Sequence, residues 1–118
     1  MKMNQNMDAK VDAYKEGMAQ MGNELPRVTE AYHAFTGECF ADGALNAKQK
    51  QLIALGIGLF ANNEICTLYH VEEAISSGAS DQEIMETAAV AAALGGGHAM
   101  SQGVTRLRQA LHGKKQIQ

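Results

Sequence analysis

Apolar residues recur at helical spacing from near the start of the chain. Met7, Val11, Tyr14, Met18 and Met21 follow one another at steps of three or four, one stripe of an amphipathic helix over about residues 5 to 21. A Gly22-Asn23 break is expected to end it. Pro26 suits the first turn of a second helix, where its missing N–H costs nothing, and Val28, Tyr32, Phe35 and Cys39 then share a face. Ala41-Asp42-Gly43-Ala44 reads as a turn. Asn46 with Gln49 forms a capping box for a third helix, whose run Leu52, Ile53, Leu55, Ile57, Leu59 and Phe60 predicts burial on most sides.

Asn62 and Asn63 interrupt that run. Asn63 caps a fourth helix ending at Gly78, and Ser80 with Glu83 forms the capping box of a fifth, from roughly Asp81 to Leu94. Gly95-Gly96-Gly97 is a flexible or tightly bent joint; without a preceding strand or a following Gly-Lys-Ser/Thr it is not a phosphate loop. Val104, Leu107, Ala110 and Leu111 give the final helix its apolar side. The pattern predicts an all-α fold of about six helices, with no strand and no repeat.

Composition agrees with helices. Alanine is abundant, proline occurs once, tryptophan is absent, and seven methionines join Ala, Leu, Ile and Val in the core. The 118 residues fit a single domain, 1–118. A net charge of −3 with only Lys114 and Lys115 clustered, in a short polar tail, gives no nucleic-acid surface. No window reaches the ~18 apolar residues of a membrane span, and Met1 to Asn6 do not read as a secretory signal, so a cytoplasmic location with reduced thiols is expected. Ala88 to Leu94 is apolar all round, which calls for a central position, a partner subunit, or both.

Two residues stand out chemically. Cys66 and His70 are four apart on the fourth helix, so they lie on one face, and an imidazole there can take the thiol proton. With Asn63 as N-cap, Cys66 is the third helical residue, where free backbone N–H groups and the helix dipole favour a thiolate nucleophile. The same spacing also suits a small buried hydrophobe beside a satisfied core histidine. A zinc site built from the pair with His98, Cys39 or Glu64 is a third reading, but four ligands are not visible and no metal or cofactor is expected. His33 and His112 are expected on solvated faces.

A longer pattern resembles a known family. Lys48-Gln49-Lys50-Gln51-Leu52-Ile53-Ala54-Leu55, then Cys66 and His70, Ala74, Gly78-Ala79-Ser80, Glu83-Ile84-Met85-Glu86 and Gly95-Gly96-Gly97 look like the carboxymuconolactone decarboxylase and alkylhydroperoxidase D superfamily over about residues 28 to 104. The resemblance implies a helical bundle assembling into homo-oligomers, trimers or hexamers. Members similar to alkylhydroperoxidase D carry Cys-x-x-Cys-x-x-x-His and an upstream glutamate, which relay protons while the thiols reduce a peroxide. Here Cys66 and His70 match the second cysteine and the histidine, while Asn63 and Gln51 stand in place of the first cysteine and the glutamate. An amide cannot shuttle protons, and without a paired cysteine no local disulfide closes after oxidation.

The expected function is therefore a peroxiredoxin-like antioxidant activity. Cys66 attacks a hydroperoxide, His70 acts as acid/base, Gln51 and Asn63 hold the substituted relay positions, and an external thiol, or Cys39 as resolving partner, completes the cycle. Leu52, Ile53, Leu55, Leu59 and Tyr69 are expected to line the pocket. The alternatives are decarboxylation of a carboxymuconolactone-like substrate, for which basic residues are scarce, and a non-catalytic helical oligomer that binds a small molecule or partner.

Overall fold

The computed structural model describes residues 2–117, and the side chains of residues 6–113. Among them all regular structure is helical: α1 (Lys2–Glu24), α2 (Pro26–Phe40), α3 (Ala47–Phe60), α4 (Glu64–Ser76), α5 (Asp81–Gly95), α6 (Gly97–Gln102), a π-helical turn (Gly103–Leu107) and α7 (Arg108–Ile117). The last three segments follow without a break and form one rod. No helix among the described residues is long and apolar enough to cross a membrane.

The helix boundaries follow from side-chain chemistry. Asn46 Oδ1 accepts the Gln49 N–H at 2.8 Å while Gln49 Oε1 accepts the Asn46 N–H at 2.8 Å, the reciprocal capping box that starts α3. Ser80 and Glu83 repeat it for α5 at 3.1 and 2.8 Å. The α4 helix stops at Gly78, whose φ of +98° suits glycine. One expected break is absent: α1 runs through Gly22 and Asn23 to Glu24, and the Leu25 N–H still bonds the Met21 carbonyl at 2.7 Å. The stop comes from Pro26, which drives Leu25 out of the helical region to φ −133°, ψ 66°.

The core lies between α3, α4 and α5. Leu55, Leu59, Leu68, Val71, Ile84 and Ala88 fill it, with Ala99 and Leu107 entering from the last rod. Met7 and Val11 fix α1 against the same cluster, and α1 packs on α4, α7 and α2. The α6 helix also finishes α3. Gln102 Nε2 donates to the Leu59 carbonyl at 2.9 Å and His98 Nε2 to the Phe60 carbonyl at 2.7 Å, satisfying acceptors that the end of a helix leaves open.

Four expectations need correction. Ile53, Ile57 and Phe60 are exposed, so the α3 run is not buried on most sides, and on α2 the shared face of Val28, Tyr32, Phe35 and Cys39 is exposed while Thr29 is buried. Val104 is exposed although Leu107, Ala110 and Leu111 are buried; the extra residue of the π turn rotates the face at that point. Lys114 and Lys115 belong to α7 rather than to a tail, and their side chains lie outside the described ones. On α5, Ala88 and Ala91 are buried but Val90 and Leu94 are 66% and 81% exposed. With Ile53, Ile57 and Phe60 of α3 they form an open apolar groove.

Candidate functional site

The first turn of α4 presents Cys66. Asn63 is the N-cap and its Oδ1 accepts the Cys66 N–H at 2.9 Å, while its own carbonyl accepts from the Thr67 N–H and hydroxyl at 3.0 and 2.8 Å. Asn63 thus holds the helix start. Glu64, beside it, binds Lys10 of α1 at 3.1 Å and Arg106 of the π turn at 3.5 Å. These pairs are partly exposed and tether the turn more than they stabilise the fold.

Close backbone approach completes the placement. A Cβ built on Gly58 of α3 would lie 3.2 Å from the Thr67 nitrogen and 3.3 Å from Cys66 Cβ. Glycine at 58 lets α3 and the thiol-bearing turn touch, and the Asn63 N–H reaches the Gly58 carbonyl at 3.0 Å. Neither contact is legible in the sequence.

Cys66 and His70 line one cavity of about 380 Å³. Tyr14 enters from α1; Tyr32, His33, Thr36, Gly37 and Phe40 come from α2, and Gln51 from α3; Ile65, Tyr69 and Glu73 join the pair on α4. His70 is held on three sides. Its Nδ1 lies 2.7 Å from Gln51 Oε1; a carbonyl oxygen only accepts, so the proton sits on Nδ1 and Nε2 keeps its lone pair. Phe40 stacks on the ring with centroids 5.7 Å apart and planes at 18°, and Tyr69 meets it edge-on at 5.2 Å. Burial pushes the His70 pKa below its ordinary value, and the Glu73 carboxylate opposes that fall. Gln51 is thus a tautomer lock where a carboxylate would have been a proton acceptor.

The tyrosines form the outer wall. Tyr14 and Tyr69 meet edge to face at 6.0 Å, and the Lys15 ammonium sits 5.8 Å from the Tyr69 ring centroid. Burial raises the pKa of both phenols; at Tyr69 the Glu73 carboxylate adds to it, and at Tyr14 the neighbouring Tyr32 does. A neutral, aromatic, hydrogen-bond-donating wall results.

All four sequence-selected positions meet around α4: Cys66, His70 and Gln51 on the cavity, Asn63 at its base as cap. The expected pocket lining holds only for Tyr69. Leu55 and Leu59 are core, and Leu52 and Ile53 face the α3–α5 groove. Cys39 is exposed on α2 and does not line the cavity. His33, expected on a solvated face, is exposed but sits at the cavity rim, and His98 is spent on capping α3. Among the described residues no three His, Cys, Asp or Glu side chains meet as a metal site requires. The sequence reading missed Tyr14, Phe40 and Glu73. Only Glu73 carried a signal, its seven-residue spacing from Cys66 on one helical face.

Comparison with known proteins agrees with this architecture. The model of the carboxymuconolactone decarboxylase family matches residues 26–109. Uncharacterized protein 4 in the cox locus of Paracoccus denitrificans is 38% identical over 72 residues, covering 61% of this chain and 65% of that protein. An uncharacterized protein of Haemophilus influenzae is 32% identical over 60 residues, 51% of this chain and 53% of its own length. These matches thus span about two thirds or less of the relatives' lengths. The apo crystal structure of a carboxymuconolactone decarboxylase family protein from Legionella pneumophila superposes with a TM-score of 0.86 over 91% of this chain and 96% of its own, at 21% identity, a likeness of fold. With the family model matching most of its length, this chain belongs to the carboxymuconolactone decarboxylase family.

Proposed function

We propose that this protein is a thiol-dependent, peroxiredoxin-like oxidoreductase that reduces hydroperoxides through Cys66 with the help of His70. The observation that carries the reading is the shared cavity: the two side chains sit one helical turn apart on its wall, with Gln51 holding the His70 tautomer that leaves Nε2 free as a base. His70 takes the Cys66 proton and the thiolate attacks the terminal peroxide oxygen. An S–O bond forms as the O–O bond breaks, two electrons pass from sulfur to the peroxide, and the imidazolium returns its proton to the departing alkoxide. The products are an alcohol and Cys66 sulfenic acid. An external low-molecular-weight or protein thiol condenses with it, releasing water, and a second thiol equivalent frees Cys66 and leaves as the disulfide. Cys39 lies outside the cavity lining, which favours the external thiol.

The cavity also bears on substrate class. Among its described lining residues there is no lysine or arginine, and Glu73 adds negative charge, so a dicarboxylated lactone finds no counter-charge. An apolar or aryl hydroperoxide suits the aromatic wall better. The test is intact-mass analysis of reduced protein after stoichiometric hydroperoxide and a sulfenic-acid trap, with the labelled cysteine mapped. Rapid labelling of Cys66 well ahead of Cys39 supports the assignment. Labelling no faster than that of a free thiol rejects it and favours a binding protein or decarboxylase.

We also propose a homo-oligomer, a trimer or hexamer, built on the apolar faces that the subunit leaves open. Phe35 is 67% exposed on α2, and the α3–α5 groove exposes Ile57 and Leu94. The mass in solution checks this: Ile57→Asp is expected to lower the oligomer number, and a parent protein already monomeric at micromolar concentration would end the proposal.

A further inference from the structure

Position 51 carries an amide, Gln51, yet a carboxylate, Glu73, stands on the wall of the site. Cys66, Tyr69, His70 and Glu73 follow at steps of three, one and three along α4, one face of a single helix, and all four line the cavity. That face supplies a thiol, a phenol, an imidazole and an acid. Gln51 meanwhile occupies His70 Nδ1 without carrying charge.

We propose that Glu73 is the working carboxylate of this site, a positioning residue that stabilises the charge His70 acquires when it takes the Cys66 proton. The proposal rests on the peroxidase reading for its catalytic meaning, but its electrostatic content stands apart from it. Tyr14 faces the cavity from α1, Tyr32 and His33 from α2 and the neutral Gln51 from α3, while Cys66 and Tyr69 share α4 with His70. Lys15 lies over the outer Tyr69 ring. Glu73 is therefore the carboxylate among the groups lining the cavity, and it acts on both Tyr69 and His70. A buried imidazole with a carboxylate one turn away holds a proton more readily than one without it.

The sign follows. Removing the negative charge makes imidazolium less stable, so the His70 titration midpoint moves to lower pH. In Glu73→Gln, NMR titration of the His70 ring is expected to show a midpoint lower by about half a unit to one unit, with Glu73→Asp restoring most of the difference. The acid limb of Cys66 reaction with hydroperoxide is expected to shift the same way, and its plateau rate to fall about tenfold. An unchanged His70 midpoint in a folded Glu73→Gln protein overturns the proposal, as does a downward shift that Glu73→Asp leaves in full. Because the NMR midpoint does not need turnover, a parent protein inert to peroxide would reject the peroxidase reading and leave this result to be judged by itself.

Discussion

Replacing Cys66 with serine is expected to abolish hydroperoxide consumption while helical content and assembly remain those of the parent. The exchange swaps sulfur for oxygen at an exposed side chain, so it opens no cavity, and the bond that seats the turn uses the Cys66 backbone N–H, which serine retains. The chemistry is what changes. A serine hydroxyl with one histidine beside it does not attack an O–O bond at a useful rate, and loss of a nucleophile typically costs roughly a thousandfold or more. His70→Gln removes the base and is expected to slow the first step by about 10²- to 10⁴-fold. Cys39→Ser is expected to leave that step unchanged. Stopped-flow measurement with an alkyl or aryl hydroperoxide distinguishes these cases, and unaltered turnover in Cys66→Ser would remove Cys66 from the mechanism.

The second large effect is on stability. Leu59 is wholly buried between α3, α4 and the last rod, and its carbonyl accepts the Gln102 side chain. Truncation to alanine removes three carbons from a site walled by helices that are themselves tied, so the gap relaxes little. A loss of about 3 kcal/mol is expected, within the roughly 2–5 kcal/mol range for such changes. Denaturant unfolding of parent and Leu59→Ala at one protein concentration measures it, the fixed concentration being needed because association adds its own stabilisation. A loss below about 1 kcal/mol would show that the neighbouring helices collapse onto the smaller side chain.

The contrast between these residues explains how much the sequence disclosed. Capping is local chemistry, and Asn46 with Gln49, Asn63 with Cys66 and Ser80 with Glu83 were readable because each pair lies three residues apart. The Cys66 and His70 pair was readable for the same reason. Gly22 misled because glycine is tolerated inside a helix whose ends are set elsewhere, here by Pro26 acting on Leu25. The cavity wall was not readable. Tyr14 and Phe40 reach His70 and its neighbours through the packing of α1 and α2, and no spacing along the chain encodes that. The leucines assigned to the pocket were apolar, as a pocket lining is, but α3 has two apolar sides, and composition does not say which one faces the thiol. The substituted amides gained meaning only in three dimensions, Asn63 as a cap and Gln51 as a tautomer lock.

The π turn at Gly103–Leu107 sets a tolerance for length that composition would not suggest. Before it the last rod faces α3 and α5 with Ala99 and Gln102; beyond it Ala110 and Leu111 bury toward the side where α1 packs. Each α-helical residue advances the azimuth by about 100°, and the π turn takes up one residue more than an α turn over nearly the same rotation, so deleting one residue there would restore an ordinary helix with every later side chain facing as before. The backbone would be more regular and the core unchanged. Substitutions are therefore tolerated at the exposed Val104, Thr105 and Arg108, and loss of a single residue between Gly103 and Leu107 is absorbed, whereas a further residue gained there, or one lost from the α-helical turns on either side, turns the later face away from α1.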